Sequence, residues 1–234
     1  MEDTAQTRYD AATAAAYDGR APVTIPGYDV MHRLACSILR QALPGSARLL
    51  VIGAGTGKEL RTLGESNGEW SFTGVDPSGE MLAVAREALA GNGMAERVQF
   101  FQGVVQDLPE SPGFDGATAL LVMHFMPDDG TKADFLRAIA RRLRPGAPLV
   151  LVSQYGQRPS RAFDEAIAAW KHYQLSLGMT QEKVEEGMAR RLRNNTYVPE
   201  ARIQALLEEA GFDNVERFFQ AFVVGGWSAR RAAR

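Results

Sequence analysis

From Arg48 onward, short β-rich runs and helical stretches take strict turns along the chain, and this alternation constrains the fold more than any other feature. "ARLLVIG" reads as a buried strand and "KELRTLGES" as the helix behind it. "WSFTGVD" is a second strand, followed by "SGEMLAVAREALAG", a helix with Ser78 placed as its N-cap and Gly91 near its end. "RVQFFQG" makes a third strand and "FDGATALLVMHFM" a fourth. "DDGTKADFLRAIARRLRPG" is the next helix, ending at Pro145-Gly146, and "APLVLVSQY" is a fifth strand. Such alternation predicts an α/β fold: a doubly wound, mostly parallel sheet covered by helices on both faces. The end of the chain differs. "FDNVERFFQ" and "AFVVGGWSARR" are separated by almost nothing, and a connection that short requires an antiparallel pair at the sheet's edge.

Two segments fall outside the alternation. Residues 1–46 look helical, split by "RAPVTIPGY", and are expected to cap a main domain spanning 47–234. Residues 157–198 form a helical insertion after the fifth strand. Phe163, Ile167, Trp170, Tyr173 and Leu177 fall on one helical stripe there, the pattern of a core face rather than of ligand contacts. The insertion follows a strand's carboxyl end and is therefore placed to act as a lid.

Charge and cysteine content narrow the function classes. A formal net charge of -2 speaks against non-specific nucleic-acid binding, which needs clustered basic charge. Arg137, Arg141, Arg142 and Arg144, and again Arg190, Arg191 and Arg193, gather on helices, where such groups usually form a solvated face. The single cysteine, Cys36, rules out an intrachain disulfide and suits a small buried apolar role on an amphipathic helix. "MEDTAQTRYD" lacks a basic-then-apolar signal, and no run of about 18 apolar residues occurs. A cytoplasmic, soluble protein without membrane contact is expected. No metal-ligand set is read from the sequence.

The glycines of "LLVIGAGTGKEL" sit between the first strand and its helix. Gly53, Gly55 and Gly57 let backbone pass close to a ligand, and two ligand classes use such a turn: dinucleotides and S-adenosylmethionine (SAM). A dinucleotide site prefers G-x-G-x-x-G; here the third glycine comes one residue early and Lys58 occupies the expected place. Asp76 ends the second strand about 20 residues after the loop, where a carboxylate can accept ribose hydroxyls from either ligand.

Over nearly its whole length the chain resembles the class I SAM-dependent methyltransferases, through "VIGAGTG", "GVDPSGEML", "FQGVVQDLP", "FDGATALLVMHFMP" and "RRLRPGAPLVL" in that order. The resemblance implies a Rossmann-like seven-stranded sheet whose last strand is antiparallel, SAM as cofactor and a homodimer. Within that superfamily the likeness is to the carboxy-SAM synthase subgroup of tRNA wobble-uridine modification. It is carried by the Tyr17–Arg20 motif, "IPGY", "HFM" at 124–126 and "FFQAFVVGGW". Carried over by position, Tyr28 meets the amino-acid end of SAM with Gly53, Ala54, Gly55 and Gly57 beneath it. Asp76 and Pro77 hold the ribose, Val104 and Val105 flank adenine, and Leu120 lies beside the methionine moiety.

Departures from the pattern shape the expected chemistry. The family's acids near the methionine end and the adenine amino group are replaced by Val51 and Val104. One lost hydrogen bond weakens affinity by roughly tenfold at most. The arginine with which the synthases pair the extra carboxylate is Leu206 here, and a buried carboxylate without a cation is unfavourable. Ordinary methyl transfer to a small-molecule oxygen or nitrogen is therefore the expected reaction. Carboxy-SAM synthesis, tRNA modification and non-catalytic SAM binding are the alternatives, with a nicotinamide-dependent oxidoreductase a distant one. His124, just after the fourth strand, is the candidate general base and equally a residue that shapes the pocket. Tyr17, Phe125 and Tyr155 are expected to border the acceptor. His32 and His172 are read as structural or exposed.

Overall fold

The structure is a computed structural model that describes residues 11–91, 93–109 and 113–233. These residues form eight α-helices and one seven-stranded sheet. Helices α1 (Ala11–Thr24) and α2 (Tyr28–Ala42) precede β1 (Arg48–Ile52). Then come α3 (Lys58–Ser66), β2 (Ser71–Asp76), α4 (Gly79–Ala90), β3 (Val98–Gln102), β4 (Gly116–Leu120), α5 (Thr131–Arg142) and β5 (Pro148–Gln154). Helices α6 (Arg161–Ser176), α7 (Gln181–Asn194) and α8 (Glu200–Glu209) lead to β6 (Phe212–Ala221) and β7 (Val224–Arg231).

The strand order is β3-β2-β1-β4-β5-β7-β6. The first five run parallel, and β7 pairs antiparallel with both β5 and β6. The reversed last strand thus lies one place inside the sheet, and β6 takes the edge. Side chains on β1 alternate between two cores because the strand period is two. Leu49 and Val51 join α2, α3 and α6 on one face, while Leu50 and Ile52 join α5 and α8 on the other. Every residue of β4 and β5 is buried, which is why these runs read as continuously apolar. Each fully buried Leu or Val there contributes about 1.5–3 kcal/mol.

Several boundaries move from their expected places. Helix α1 continues through Arg20 to Thr24 and breaks only at residues 25–27, where Gly27 adopts φ 70°. Met31, Ala35 and Leu39 of α2 are fully buried in the same core as β1 and β5, so no second core begins at residue 46. Ser78 does cap α4, its Oγ accepting from Met81 N at 3.1 Å. Helix α5 ends at Arg142, three residues short of Pro145. Arg142 departs from the solvated face expected for it. It is buried and donates to the carbonyls of Ala138, Gln106 and Leu108, so it fastens the end of α5 to the loop after β3.

The fourth strand stops at Leu120, well before the end of its apolar run. Leu121 turns the chain with φ 63°, its N–H donating to Val152 O at 2.7 Å, and Met123–Phe125 close a single 3-10 turn. Strand order reverses at β1, whose neighbours are β2 and β4, and the crevice beyond those carboxyl ends is where open α/β sheets bind ligands.

Candidate functional site

The glycine loop is tied down by β2. Gly53 N and Ala54 N both donate to Val75 O, at 2.8 and 3.0 Å, and Gly55 N donates to Asp76 Oδ2 at 2.9 Å. Gly57 N bonds back to Ala54 O at 2.9 Å. These four amides are bonded within the protein, three of them to β2. Gly53 needs to be glycine twice over: φ is 74°, and a Cβ would lie 2.3 Å from Val122 Cγ2. Gly57 has a different reason. At φ 83° its missing Cβ admits α4, with Ala85 Cβ 3.2 Å away, and it lines neither cavity described below.

Asp76 is buried at the end of β2. Its Oδ1 accepts from Ser78 N at 2.9 Å, as Oδ2 does from Gly55 N. Burial pushes its carboxyl pKa up, and the two amides pull it back. Each carboxylate oxygen retains a second lone pair for a hydroxyl donor.

A cavity of about 40 Å³ opens over the loop, lined by Tyr17, Tyr28, His32, Gly53, Glu59 and Leu120 among others. Tyr28 begins α2 and is 5% exposed; burial, then neighbouring acids, push its phenol pKa up. His32 Nδ1 lies 2.8 Å from Tyr28 O, and burial lowers its pKa, so a neutral ring donating through Nδ1 fits.

The larger cavity, about 500 Å³, lies on the β4–β5 side and shares Tyr17 and Leu121 with the smaller one. His124 and Phe125 enter it on the 3-10 turn, Gln154 on the last residue of β5, and Arg20 on α1. The opposite wall comes from α6, α7 and the segments between and after them, including Gln174, Lys183, Arg190 and Asn195. A buried lysine holds the turn: Lys132 Nζ on α5 donates to Met123 O at 2.8 Å and Met126 O at 2.7 Å. Burial lowers its pKa to about 8. His124 is 2% exposed, with Nδ1 3.3 Å from Gln154 N and Nε2 3.5 Å from Gln154 Nε2. Gln154 Oε1 accepts from Asn195 Nδ2 at 3.0 Å and Tyr197 OH at 2.9 Å, which sets the direction of its amide.

Comparison with known proteins agrees with this geometry. Residues 50–149 match the family model described as "Methyltransferase domain". The match spans the glycine turn, Asp76 and β4, 100 of the chain's 234 residues. S-adenosylmethionine is the cofactor that goes with such a domain, and the site holds a buried carboxylate with lone pairs to spare at Asp76 and a second one, Glu59, at the loop. A carboxy-S-adenosyl-L-methionine synthase of Campylobacter concisus is 24% identical over 92% of this chain and 90% of its own length. An uncharacterised Synechococcus protein is 35% identical over 129 residues, but the chain spans only 30% of that protein. Among solved structures, the O-methyltransferase family protein of Burkholderia thailandensis superposes with a TM-score of 0.64 at 15% identity. It covers 97% of this chain and 61% of that one.

The expected residues fare unequally. Tyr28, Gly53, Ala54, Gly55 and Leu120 surround the smaller cavity, and His124 and Phe125 enter the larger. Asp76 and half-buried Pro77 stand together at the end of β2. After β3, Val104 is 42% exposed and Val105 is buried in the core. Tyr155 is a correction. It lines neither cavity but stacks edge-on against Trp227 at 5.2 Å, because alternation along β5 and its continuation turns Gln154 to the site and Tyr155 away. Leu206 is fully buried on α8 in the core shared with α5 and lines neither of these cavities.

Sequence reasoning missed Glu59, Lys132 and Gln154. Glu59 left a trace: it shares the buried stripe of α3 with Leu60 and Leu63, an acid among apolar neighbours. Lys132 left none, since its partners are carbonyls. Arg191 was placed on a solvated face, yet it is half-buried with its guanidinium 5.1 Å over the Trp170 ring.

Proposed function

We propose that the chain transfers the methyl group of SAM to an oxygen or nitrogen of a small acceptor carrying an anionic group. The observation that carries this reading is the junction of the two cavities at Tyr17 and Leu121. A volume of about 500 Å³ lies within the size range of small-molecule sites. Along the sheet's edge the larger cavity, the smaller cavity, Asp76 and Val104 follow one another, the order needed for acceptor, amino-acid end, ribose and base. The cofactor, when bound, supplies a methyl group already activated on a sulfonium.

The chain's own task is then to align a nucleophile, and positioning supplies up to ~7–11 kcal/mol of barrier reduction. Arg20, Lys183, Arg190 and Arg191 face the larger cavity against one acid, Glu186, which favours an anionic acceptor. Burial lowers the Arg191 pKa, with the charges of Arg190 and Arg20 contributing. Trp170 Nε1 and Gln174 Nε2 both donate to Thr24 O, at 3.0 and 2.9 Å, so the insertion is fastened to α1 and serves as a lid. His124 shapes the pocket in this reading. Its Nδ1 accepts from the Gln154 backbone N–H and its Nε2 faces the Gln154 amide nitrogen at 3.5 Å, so both ring nitrogens are turned toward Gln154.

Calorimetry with S-adenosylhomocysteine and with NADH is the first test: heat with the former alone is expected, and no heat with it overturns the reading. Release of S-adenosylhomocysteine is then followed across hydroxy- and aminobenzoates and their methyl esters. Turnover confined to the free acids is expected.

The synthase relatives favour a second reading, with the cationic wall holding a carboxylate donor. A heavier cofactor by mass spectrometry after incubation with SAM and prephenate supports it; Leu206 in the core speaks against it.

A further inference from the structure

We infer that Glu59 of α3 supplies the carboxylate that Val51 lacks, binding the α-ammonium of the cofactor and losing a proton as it does so. The inference rests on SAM being the cofactor. Val51 of β1 is in register with Thr118 of β4, so their side chains share a face of the sheet. Glu59 reaches that place from the helix above. Its residue exposure is 6%, it lines the smaller cavity, and neither its Oε1 nor Thr118 Oγ1 meets a partner in good hydrogen-bond geometry among the described residues. A buried acceptor left unsatisfied is rare and unfavourable. A donor arriving in the cavity removes the problem, and a cationic donor does so best.

Burial holds the free carboxyl protonated, raising its pKa to about 8, with the neighbouring Thr118 hydroxyl pulling the other way. The other groups around it do not serve as its partner. On α3, Lys58 is paired with Asp29 of α2 at 3.1 Å. On α2, Tyr28 is pushed further from ionising, and burial holds His32 neutral against the opposing pull of its bond to Tyr28 O. From α1, Asp18 accepts from Thr56 Oγ1, and Tyr17 borders the cavity. An ammonium next to Glu59 Oε1 favours the carboxylate form, and the displaced proton leaves to solvent. The amino group of the ligand is already protonated at neutral pH and takes none up.

The test uses S-adenosylhomocysteine, which carries the ammonium, and 5′-methylthioadenosine, which lacks the amino-acid end. Heats of binding at neutral pH are measured in phosphate and in Tris, whose ionisation enthalpies differ. Release of close to one proton per S-adenosylhomocysteine and none with 5′-methylthioadenosine is expected. Affinity for the former rises up to about tenfold per pH unit below the free pKa. Glu59→Gln keeps the shape, weakens S-adenosylhomocysteine by roughly tenfold or more, and leaves 5′-methylthioadenosine unchanged. Equal affinity of variant and wild type for S-adenosylhomocysteine, or heats independent of buffer, overturns the role of Glu59 while the cofactor reading stands. Absence of any binding to the wild type overturns the cofactor reading itself.

Discussion

The two cavities sit side by side yet are built in opposite ways. The smaller is drawn mainly from neighbouring pieces of chain: the turn after β1, the first turn of α3 and the end of β4, with α2 as its roof. Three of its loop amides are satisfied by β2, and the buried Glu59 carboxyl oxygen stands without a good partner. The larger is assembled from α1, the turn after β4, the end of β5 and the α6–α7 insertion, and its charged wall is mostly cationic. A site made of one strand–turn–helix unit is rigid and general. A site made of distant helices can change its wall residue by residue without disturbing the sheet. The difference is what a common cofactor and a particular acceptor require.

Changes in the smaller cavity should therefore reach both folding and cofactor binding, and those in the larger only the acceptor. Gly53→Ala is expected to have the largest effect. It forces a side chain into φ 74° and onto Val122, costs on the order of 1–3 kcal/mol, and abolishes calorimetric heat with S-adenosylhomocysteine. Normal binding by this variant would break the comparison. Lys132→Met leaves the carbonyls of Met123 and Met126 unpaired in the interior. Denaturant melts are expected to show a loss of ~1–3 kcal/mol, with acceptor turnover falling further than cofactor affinity.

Glu59 sharpens the contrast through pH. Its folded pKa, about 8, lies above the ~4.3 of an unfolded chain, so the folded state holds the extra proton between these values. Stability contributed there is present at low pH and lost as pH rises through 8. In ligand-free protein, Glu59→Gln is expected to gain on the wild type in urea melts between about pH 5 and pH 8. A constant difference across that window would contradict the buried, protonated carboxyl.

Two smaller effects belong to the acceptor side. His124→Asn is expected to lower kcat by less than about tenfold with an unaltered pH profile, since loss of a general base removes a hundredfold or more. A hundredfold loss with a shifted profile would make His124 the base. Arg190→Gln is expected to raise the acceptor KM roughly two- to fivefold and leave the S-adenosylhomocysteine affinity alone, as befits an exposed charge.

How far the residues could be read ahead of the structure follows the same division. Gly53, Asp76, Ser78 and the antiparallel final pair were legible because each acts within a few residues of its own position or through strand order. Tyr155 misled because a one-residue offset along β5 exchanges the two faces of the sheet. The apolar run through Leu121 and Met123 hid the end of β4, where Val152 and Lys132 set the turn from outside. Arg142 and Arg191 looked like surface charge because their partners, a set of carbonyls and the face of Trp170, have no signature in sequence.

By itself the sequence determined the alternation of strands and helices, hence the parallel sheet, the glycine turn at its switch point and the acid that closes β2. Those are consequences of local periodicity and backbone freedom, which neighbouring residues carry. The tertiary structure alone decided that Glu59 lies beside Thr118 with an unsatisfied oxygen, and that arginines from α1 and α7 face one cavity. Such encounters depend on which faces the packed helices turn toward one another, and that orientation is settled only when both cores are filled.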